Sequence, residues 1–585
     1  MKRIHAFRTA ATLLLSLALA TVQAQEDELG TETVTVVRSY SPTVSDAYKI
    51  KSLPNLNDSI VTRKKEVRYS IFSVPVASTF TPAKGRAADV ERTAPEKLFN
   101  SYAAIGLGNY NNALADFYLS RDFDRGGKRF DVGLNHFSSR GALDGTVVDT
   151  DFYDTDLDLT FTRRDRDWNW NVSAGAEHRK YHWYGLPEGT VDPVTAEGLD
   201  AAQNYLAGQV SGELKMEDGY FRKANFLARH FRDGLASAEN RLRLSGALQF
   251  PVTEESLDLG VELDYLGGRF DNADQSQYTN TGGIDYQYLI GGIRPGLLLL
   301  RDNLKLYLGT RLVAGLDMEN SENNFYVYPD VRASYRLLEE AVVAFGGVEG
   351  SLVQQSYYDY SQNNPFVSPT LQVRPTDRQY EAYLGIKGQL ASQLSYTLKG
   401  SYTAENYRPL FILNPQNPGR GDEKAYNYGN SFRVFYDDMK TLGVFGELQL
   451  TVKRNFTLGV NAAFYDYDTE TDNPAWNLPS VEAGLSLDYR DAKGWYLGAN
   501  LFYLGEREDF ASVAQPNTAP EDYPASIITL DGFFDANAHA GYHINPQLSL
   551  FVKASNLADN AYQRWANFPV QGLQVLAGVS YKFDL

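Results

Sequence analysis

The chain of 585 residues contains no cysteine. A disulfide framework, a thiolate metal site, a cysteine nucleophile and a lipid-modified N-terminal cysteine are therefore all excluded. Acidic residues outnumber basic ones, and the formal net charge is -18 at pH 7. This balance argues against binding to nucleic acid, which needs clustered lysine and arginine.

Long hydrophobic runs are also missing, apart from "AATLLLSLALA" near the N-terminus. Lys2, Arg3 and Arg8 precede this run, and small residues ending at Ala24 follow it, so the pattern predicts a secretory signal peptide over residues 1–24. No later run approaches the ~20 apolar residues that a membrane helix needs. The mature protein is therefore predicted to be exported, and to be either soluble or a β-barrel.

What the chain has in abundance is aromatic residues and glycine, with 39 Tyr, 31 Phe and 48 Gly, which favour strands and turns. From Leu98 onward, segments of alternating polarity follow one another, such as "RFDVGLNHF" and "DTDLDLTFTR". In "WNWNVSAGAE", Trp168, Trp170 and Val172 share one face and polar residues take the other. Alternation with period two suits strands that separate lipid from a wet lumen, so we predict a transmembrane β-barrel.

Two kinds of connection alternate along this region. Ten short, charged turns are recognisable, at Asp124, Arg164, Glu217, Glu254, Arg301, Leu338, Ser392, Lys453, Asp491 and Asn545. Long irregular stretches lie between them, including Gly185–Gln203, Asp359–Thr376, Pro409–Asn430 and Phe510–Ala525. Short turns at one end and long loops at the other are typical of outer-membrane barrels, whose turns lie in the periplasm.

The turn count predicts an all-β, antiparallel barrel of about 22 strands over residues 98–585, with both ends on the periplasmic side. We expect the first strand near Leu98–Asn109 and the last near Gly572–Leu585. Ser431–Val452 is interpreted as one long strand, although "DDMK" at Asp437 leaves a turn open as an alternative. A soluble β-propeller is the competing architecture, but it would show an internal repeat of blade length, which the sequence lacks.

Aromatic residues stand at both ends of one predicted strand. Trp168 and Trp170 lie beside a turn, and Tyr181 and Trp183 lie beside the loop at the opposite end. Such spacing predicts aromatic girdles at the two membrane interfaces.

The segment "LQVLAGVSYKFDL" has an unbroken apolar face that includes Tyr581, Phe583 and Leu585. We predict that it pairs with the first strand and closes the barrel, which removes both sheet edges. The three residues resemble the C-terminal signal by which outer-membrane proteins are recognised for insertion, with Leu in place of the commoner Phe.

The last strands resemble those of TonB-dependent outer-membrane receptors. The resemblance rests on "LDGFFDANAHAGYHINPQLSLFVKASNLADNAYQ", with its Asn556-Leu557…Asp559…Tyr562 element, and on "GLQVLAGVSYKF". It implies an outer-membrane protein of a Gram-negative cell that takes up a ligand, with TonB as a partner and a plug domain before the barrel. No cofactor is implied.

The segment before the barrel, residues 25–97, is short for a folded plug and interrupted by prolines. We therefore predict a reduced or absent plug. Within the segment, Thr33, Val34, Thr35, Val36 and Val37 resemble a TonB box, which pairs with TonB as an added strand. A plain edge strand or a disordered arm is the alternative.

No catalytic constellation is apparent, so we expect no enzymatic activity. His178 and His182 share a strand face, which is only a weak signal for a metal. The leading functional prediction is ligand uptake by a TonB-dependent receptor. The alternatives are an accessory barrel within a larger outer-membrane complex and a passive channel. We expect residues 25–96, together with the loops Pro409–Asn430 and Phe510–Ala525, to obstruct the lumen, or a partner protein to do so.

Overall fold

The structure is a computed structural model and describes residues 97–584, except 125–126, 144, 188–197, 254, 272–282, 416–424, 453–454 and 513–523. Thr33–Val37 and Leu585 therefore lie outside the described residues. Among the residues that are described, no helix has the length and apolar character to cross a membrane.

The described chain is almost entirely β-strand. Strands β1–β13 are Ser101–Gly108, Ala113–Phe123, Lys128–Ser139, Phe152–Arg164, Trp168–His182, Ala202–Met216, Phe221–Asp233, Ser237–Val252, Glu255–Phe270, Ile284–Arg301, Leu304–Asp317, Glu322–Leu338 and Val342–Val353. Strands β14–β26 are Thr376–Ala391, Leu394–Leu413, Phe432–Val452, Phe456–Thr469, Val481–Arg490, Trp495–Leu504, Arg507–Ser512, Ala525–Leu530, Phe533–His543, Leu548–Ser555, Gln563–Trp565, Phe568–Pro569 and Gln574–Phe583. Helix α1 spans Tyr357–Asn363, and a 3-10 turn spans Asn109–Asn111.

Twenty-two of the strands form one closed antiparallel sheet, which confirms the predicted fold and strand count. The sheet closes where β1 pairs with β26, with Ser101 opposite Phe583 and Ala103 opposite Tyr581. Two short hairpins, β20–β21 and β24–β25, stand outside this sheet. The segment from Phe432 to Val452 is one strand, as predicted, and Asp437 pairs within it with Arg408 rather than forming a turn.

The barrel has two unlike ends, because all ten predicted short turns fall between paired strands at one end, here called the turn end. The opposite end, the loop end, carries the long connections. At the turn between β18 and β19, Gly494 has a φ of 94°, a left-handed conformation that glycine adopts without steric cost.

The outward face of the barrel is apolar and exposed. Val172, Leu244, Val261 and Leu312 are between 38% and 42% exposed, although each is flanked by neighbouring strands. Side chains alternate between the two faces, so this belt is the lipid-facing surface expected of a membrane barrel, and the polar side chains between them face the lumen.

Candidate functional site

The connection between β13 and β14, residues 354–375, lies at the loop end of the barrel and is here called the closure loop. It contacts β5, β6, β7, β8 and β16, which lie on widely separated parts of the ring. Only a segment inside a closed barrel can reach all of them. The closure loop therefore occupies the mouth itself.

Helix α1 begins inside this mouth and is capped by its own sequence. Ser356, fully buried, accepts a hydrogen bond from the Asp359 N–H at 3.0 Å through its side-chain oxygen. This is the usual way for serine to satisfy an unpaired N–H in the first helical turn. Arg229 of β7 donates to the same oxygen at 3.3 Å, so the cap also ties the helix to the wall.

Two buried carboxylates of the wall hold the start of the helix. Glu239 of β8 accepts hydrogen bonds from the Tyr357 N–H at 2.6 Å and from the Tyr286 hydroxyl at 2.8 Å. Asp233 of β7 accepts from the Tyr357 hydroxyl at 2.9 Å. A buried carboxylate is tolerated only when such donors surround it, so the wall and the closure loop depend on each other for their polar groups.

Ion pairs continue this attachment. Asp359 of α1 lies 3.2 Å from Arg241, which also pairs with Asp264 at 2.7 Å. Glu177 of β5 accepts hydrogen bonds from the Tyr358 hydroxyl at 2.8 Å and from the Gln362 amide at 2.6 Å. These contacts attach the helix to two strands of the wall, β5 and β8.

Arg179 of β5 binds the C-terminal half of helix α1. Its guanidinium donates to the Ser361 carbonyl and to the Ser361 hydroxyl, both at 3.1 Å. The Arg179 side chain is 4% exposed and also pairs with Glu177. Because a guanidinium offers several donors in a fixed plane, one buried arginine fixes both the wall and the helix end.

An aromatic core packs around the closure loop, and we call it the mouth cluster. It contains buried side chains from the wall and from several connections, among them Trp183, Tyr205, Phe231, Phe270, Tyr357, Tyr360, Phe366, Tyr426, Phe432 and Phe568. The rings of Phe366 and Phe568 stack with centroids 3.9 Å apart, and Trp183 meets Tyr426 edge-on at 5.4 Å. The Trp183 indole also donates to the Phe366 carbonyl at 3.1 Å.

The tyrosines of α1 remain neutral donors. Burial raises the pKa of the Tyr357 and Tyr360 hydroxyls well above the ordinary value. The nearby carboxylate of Asp233 acts in the same direction on the pKa of Tyr357, because ionising the phenol would place two like charges together. The hydrogen bonds of these phenols are therefore kept throughout the physiological pH range.

The loop residues found in the mouth differ in detail from those predicted from the sequence. Pro409–Asn430 contributes Tyr426 to the mouth cluster and Asn430, whose amide donates to the Trp183 carbonyl at 2.6 Å. Its first residues, however, belong to strand β15, and Phe510 packs against Trp476 outside the mouth cluster. Among the described residues, the segment inside the mouth is the closure loop, which has no periodic pattern and was predicted only as an irregular connection. The predicted obstruction by residues 25–96 lies outside the described residues.

The predicted interface role is wrong for two of the four aromatic residues. Tyr181 and Trp183 are an odd number of residues from Trp168, so on a regular strand they face the lumen rather than lipid. Trp183 is only 1% exposed, and Tyr181 stacks on Phe152 and meets Phe366. Trp168 and Trp170 do lie on the outward face beside a turn, with their rings 6.5 Å apart, and their interface role stays a prediction.

The predicted closing residues lie at the seam. The Tyr581 and Phe583 rings stack at 6.2 Å, and Phe583 also approaches Phe117 of β2 at 6.4 Å. Their pairing partners are on β1, whereas their role as an assembly signal stays a prediction.

Within the part of the chain that the structure describes, possible metal ligands come together in two places, and neither combines His178 with His182. Asp149, Asp151 and His182 form one group, and Asp154, Asp156 and Glu177 form the other. His178 instead lies 3.1 Å from the Tyr153 hydroxyl. Asp151 is engaged by Lys180 at 3.1 Å and Glu177 by the closure loop, so the geometry favours structural roles.

The barrel was then compared with known proteins. The family described as "TonB dependent receptor-like, beta-barrel" matches residues 93–557. The chain belongs to this TonB-dependent receptor β-barrel family. It is therefore an outer-membrane protein, with the turn end in the periplasm and the loop end outside the cell. None of the curated proteins matches the chain.

Solved structures of receptors and transporters share the fold at low sequence identity. The ferripyoverdine receptor of Pseudomonas aeruginosa has 14% identity and a TM-score of 0.59, covering 84% of this chain and 73% of that one. The FrpB iron transporter from Neisseria meningitidis has 11% identity and a TM-score of 0.62, covering 84% and 82%. The copper transporter OprC has 14% identity and a TM-score of 0.56, also covering 84% and 82%.

Proposed function

We propose that this protein is a TonB-dependent uptake receptor whose outer mouth is opened and closed by the closure loop. The supporting observation is the buried attachment of helix α1 to Glu177, Glu239 and Arg241. Most of these contacts are polar and lie on several strands, so the loop can exchange them for water or ligand without unfolding the barrel. A solute too large for diffusion would enter when they are released.

The energy for release would come through the N-terminal segment. We propose that residues 1–24 are removed as a signal peptide and that Thr33, Val34, Thr35, Val36 and Val37 pair with TonB in the periplasm. The segment 25–97 then replaces a full plug domain. The support is the sequence pattern together with membership of a family whose solved members named above are receptors and transporters.

A second candidate function is an accessory barrel within a larger outer-membrane complex. The observation that favours it is the shortness of residues 25–97 compared with a folded plug domain. In this case the closure loop would be a permanent seal. The two candidates therefore differ in whether the loop ever opens.

Loop opening can be followed without knowing the ligand. Ser368 is fully buried in the closure loop, and the chain has no native cysteine, so Ser368→Cys offers a single thiol for a membrane-impermeant maleimide. We expect labelling in energised cells, and little labelling after a protonophore or after deletion of residues 31–37. Glu319→Cys, exposed at the tip between β11 and β12, is the matched control that should react under all conditions.

The outcomes separate the candidates. Labelling that depends on both energy and residues 31–37 supports TonB-coupled uptake. Labelling that is equal in the deletion variant removes TonB from the mechanism. A thiol that never reacts in energised cells, while Glu319→Cys does, identifies the closure loop as a fixed seal and favours the accessory barrel.

A further inference from the structure

The barrel wall is incomplete between β12 and β13 at the extracellular end. The two strands pair from Leu338 opposite Val342 as far as Asp330 opposite Glu349. Beyond this point β12 continues as residues 322–329, which pair with β11 on one side only. The outer half of β12 is thus a sheet edge, here called the open edge.

The open edge exists because β13 separates from β12 beyond Glu349 while it stays paired with β14 as far as Val353. The ladder between β13 and β14 is irregular between Glu349 and Ser351, and such irregularities bend a strand. Leu352 then packs with Val313 and Tyr328, on the lumenal face of β11 and β12. The last residues of β13 therefore cross behind β12 instead of lying beside it.

The position of Pro329 shows which backbone groups of β12 point to the open edge. It lies opposite Thr310 of β11 and has no N–H, so its position is one whose amide points away from β11. In an antiparallel pair, every second residue directs its N–H and C=O away from the partner strand. Val327 and Phe325 therefore also direct these groups toward the open edge. Outside the β11 ladder, no backbone hydrogen bond joins residues 322–329 to another part of the described chain.

The side chains of the same residues are unusually exposed. Phe325 and Val327 are 82% and 73% exposed, on the outward face. Leu312, which lies opposite Val327, is 39% exposed, because strands flank it on both sides. Water would solvate the unpaired backbone groups but not these side chains, and lipid would cover the side chains but leave the backbone unpaired.

We propose that the open edge binds an extended segment of a different polypeptide, which adds a strand beside β12. A strand satisfies the backbone groups through a ladder and covers Phe325 and Val327 with its own alternating apolar residues. Glu319 and Glu322 at the hairpin tip are exposed and form no ion pair within the described chain, so a basic residue near that end would complement them.

A second copy of the same chain does not fit the open edge. Two copies in one membrane are related by an axis along the membrane normal, so their β12 strands would point the same way. Because barrel strands tilt by about 35–45° from that axis, the two would also cross steeply. Neither arrangement extends an antiparallel ladder, so the partner must be another protein.

Hydrogen–deuterium exchange tests this proposal on the full-length protein. Exchange of the peptide covering residues 322–329 is compared in native outer-membrane vesicles, in purified protein in detergent, and in purified protein reconstituted with phospholipid and lipopolysaccharide. We expect exchange in native vesicles to be slower by about tenfold than in both purified samples. Equal exchange in all three, or protection in the reconstituted sample without any other protein, would overturn the proposal.

Variants identify the ladder as the cause of protection. Val327→Pro removes one edge-directed N–H, and Pro329 already shows that proline is compatible with this register. It should abolish the protection of the neighbouring amides in native vesicles, whereas Val327→Ala, which keeps the N–H, should retain most of it. If Val327→Pro fails to insert, Asn323→Pro gives the same test nearer the tip. Protection that survives both proline variants would overturn the proposal.

Discussion

The carboxylate of Glu239, in the barrel wall, accepts a hydrogen bond from the backbone N–H of Tyr357, at the first residue of α1, over 2.6 Å. Both residues are essentially inaccessible, at 1% and 0% exposure. A buried N–H that loses its acceptor cannot bind water instead, so this hydrogen bond is costly to break. The stability of the closed mouth should therefore depend strongly on this one side chain.

Replacing Glu239 with alanine should loosen the closure loop. Leaving a buried donor without an acceptor costs about 1–3 kcal/mol, so labelling of Ser368→Cys in purified protein should accelerate by about fivefold or more. Glu239→Gln keeps an acceptor and should have a smaller effect. Glu381→Ala removes a wall carboxylate that pairs with Lys399 instead of the loop, and it should leave labelling unchanged. Equal labelling rates in Glu239→Ala and in the parent would contradict this account.

Trp183 should matter for closure, and Trp170 should not. Truncating a buried aromatic side chain costs about 3–5 kcal/mol, and Trp183 also donates a hydrogen bond to the closure loop. We expect Trp183→Ala to accelerate the labelling of Ser368→Cys, while Trp170→Ala, on the lipid-facing side, serves as the control. The reverse ranking of the two variants would mean that the assignment of faces on β5 is wrong.

The hairpin β20–β21 should be more stable at mildly acidic pH. Burial raises the pKa of Asp509 to about 6, above its ordinary value of 3.8, although backbone N–H groups of Leu413 and Phe510 oppose the change. A raised pKa in the folded state means that stability is greatest below pH 4 and falls as the pH rises through about 6. The difference corresponds to about 3 kcal/mol.

This dependence can be measured by the melting temperature of the purified protein between about pH 4.5 and pH 7.5. The wild type should melt at a higher temperature at the lower pH, and Asp509→Asn should lose most of that difference. Should both proteins respond to pH alike, Asp509 is not the group that titrates.

Closure of the barrel should be intolerant of side chains at Gly578. A Cβ atom there would lie 2.9 Å from the Gly106 Cα atom and would also strike the Phe551 ring and the Ile105 carbonyl. Gly578→Val should therefore abolish the heat-modifiable gel mobility that marks a closed barrel. Gly208→Val is a matched control, because nothing lies within 4 Å of a Cβ atom at Gly208. A folded Gly578→Val barrel would show that the seam can relax.

Local chemistry explains which parts of the fold could be predicted from the sequence. Turns such as Asp491–Gly494 combine charge, glycine and the end of an alternating run, and these signals are all contained within a few residues. Strand count and closure follow from them. The same alternation predicted that Trp168 and Trp170 lie on the outward face, where the structure has them. The prediction for Tyr181 and Trp183 was wrong because they are an odd number of residues from Trp168 and so lie on the opposite face.

The site was beyond such reasoning because its contacts are distant in sequence. Arg179 meets Ser361, and Trp183 meets Phe366, across more than 180 residues. The closure loop has no periodic pattern, so nothing within "QQSYYDYSQNNPFVSPTLQVRP" indicates that it turns inward. Its one local signal is Ser356 followed three residues later by Asp359, which is an ordinary helix start.

The pairing of β1 with β26 also has a consequence for the timing of assembly. The Asn100 N–H donates to Asp584, which is 484 residues away along the chain. Contacts of such long range form slowly, because chain entropy must be lost before they contribute stability. Until both strands are present, the partly formed sheet keeps two unpaired edges, which are prone to aggregate in the periplasm. Export therefore has to deliver an unfolded chain, kept apart from its neighbours, to the site where the ring is finally joined.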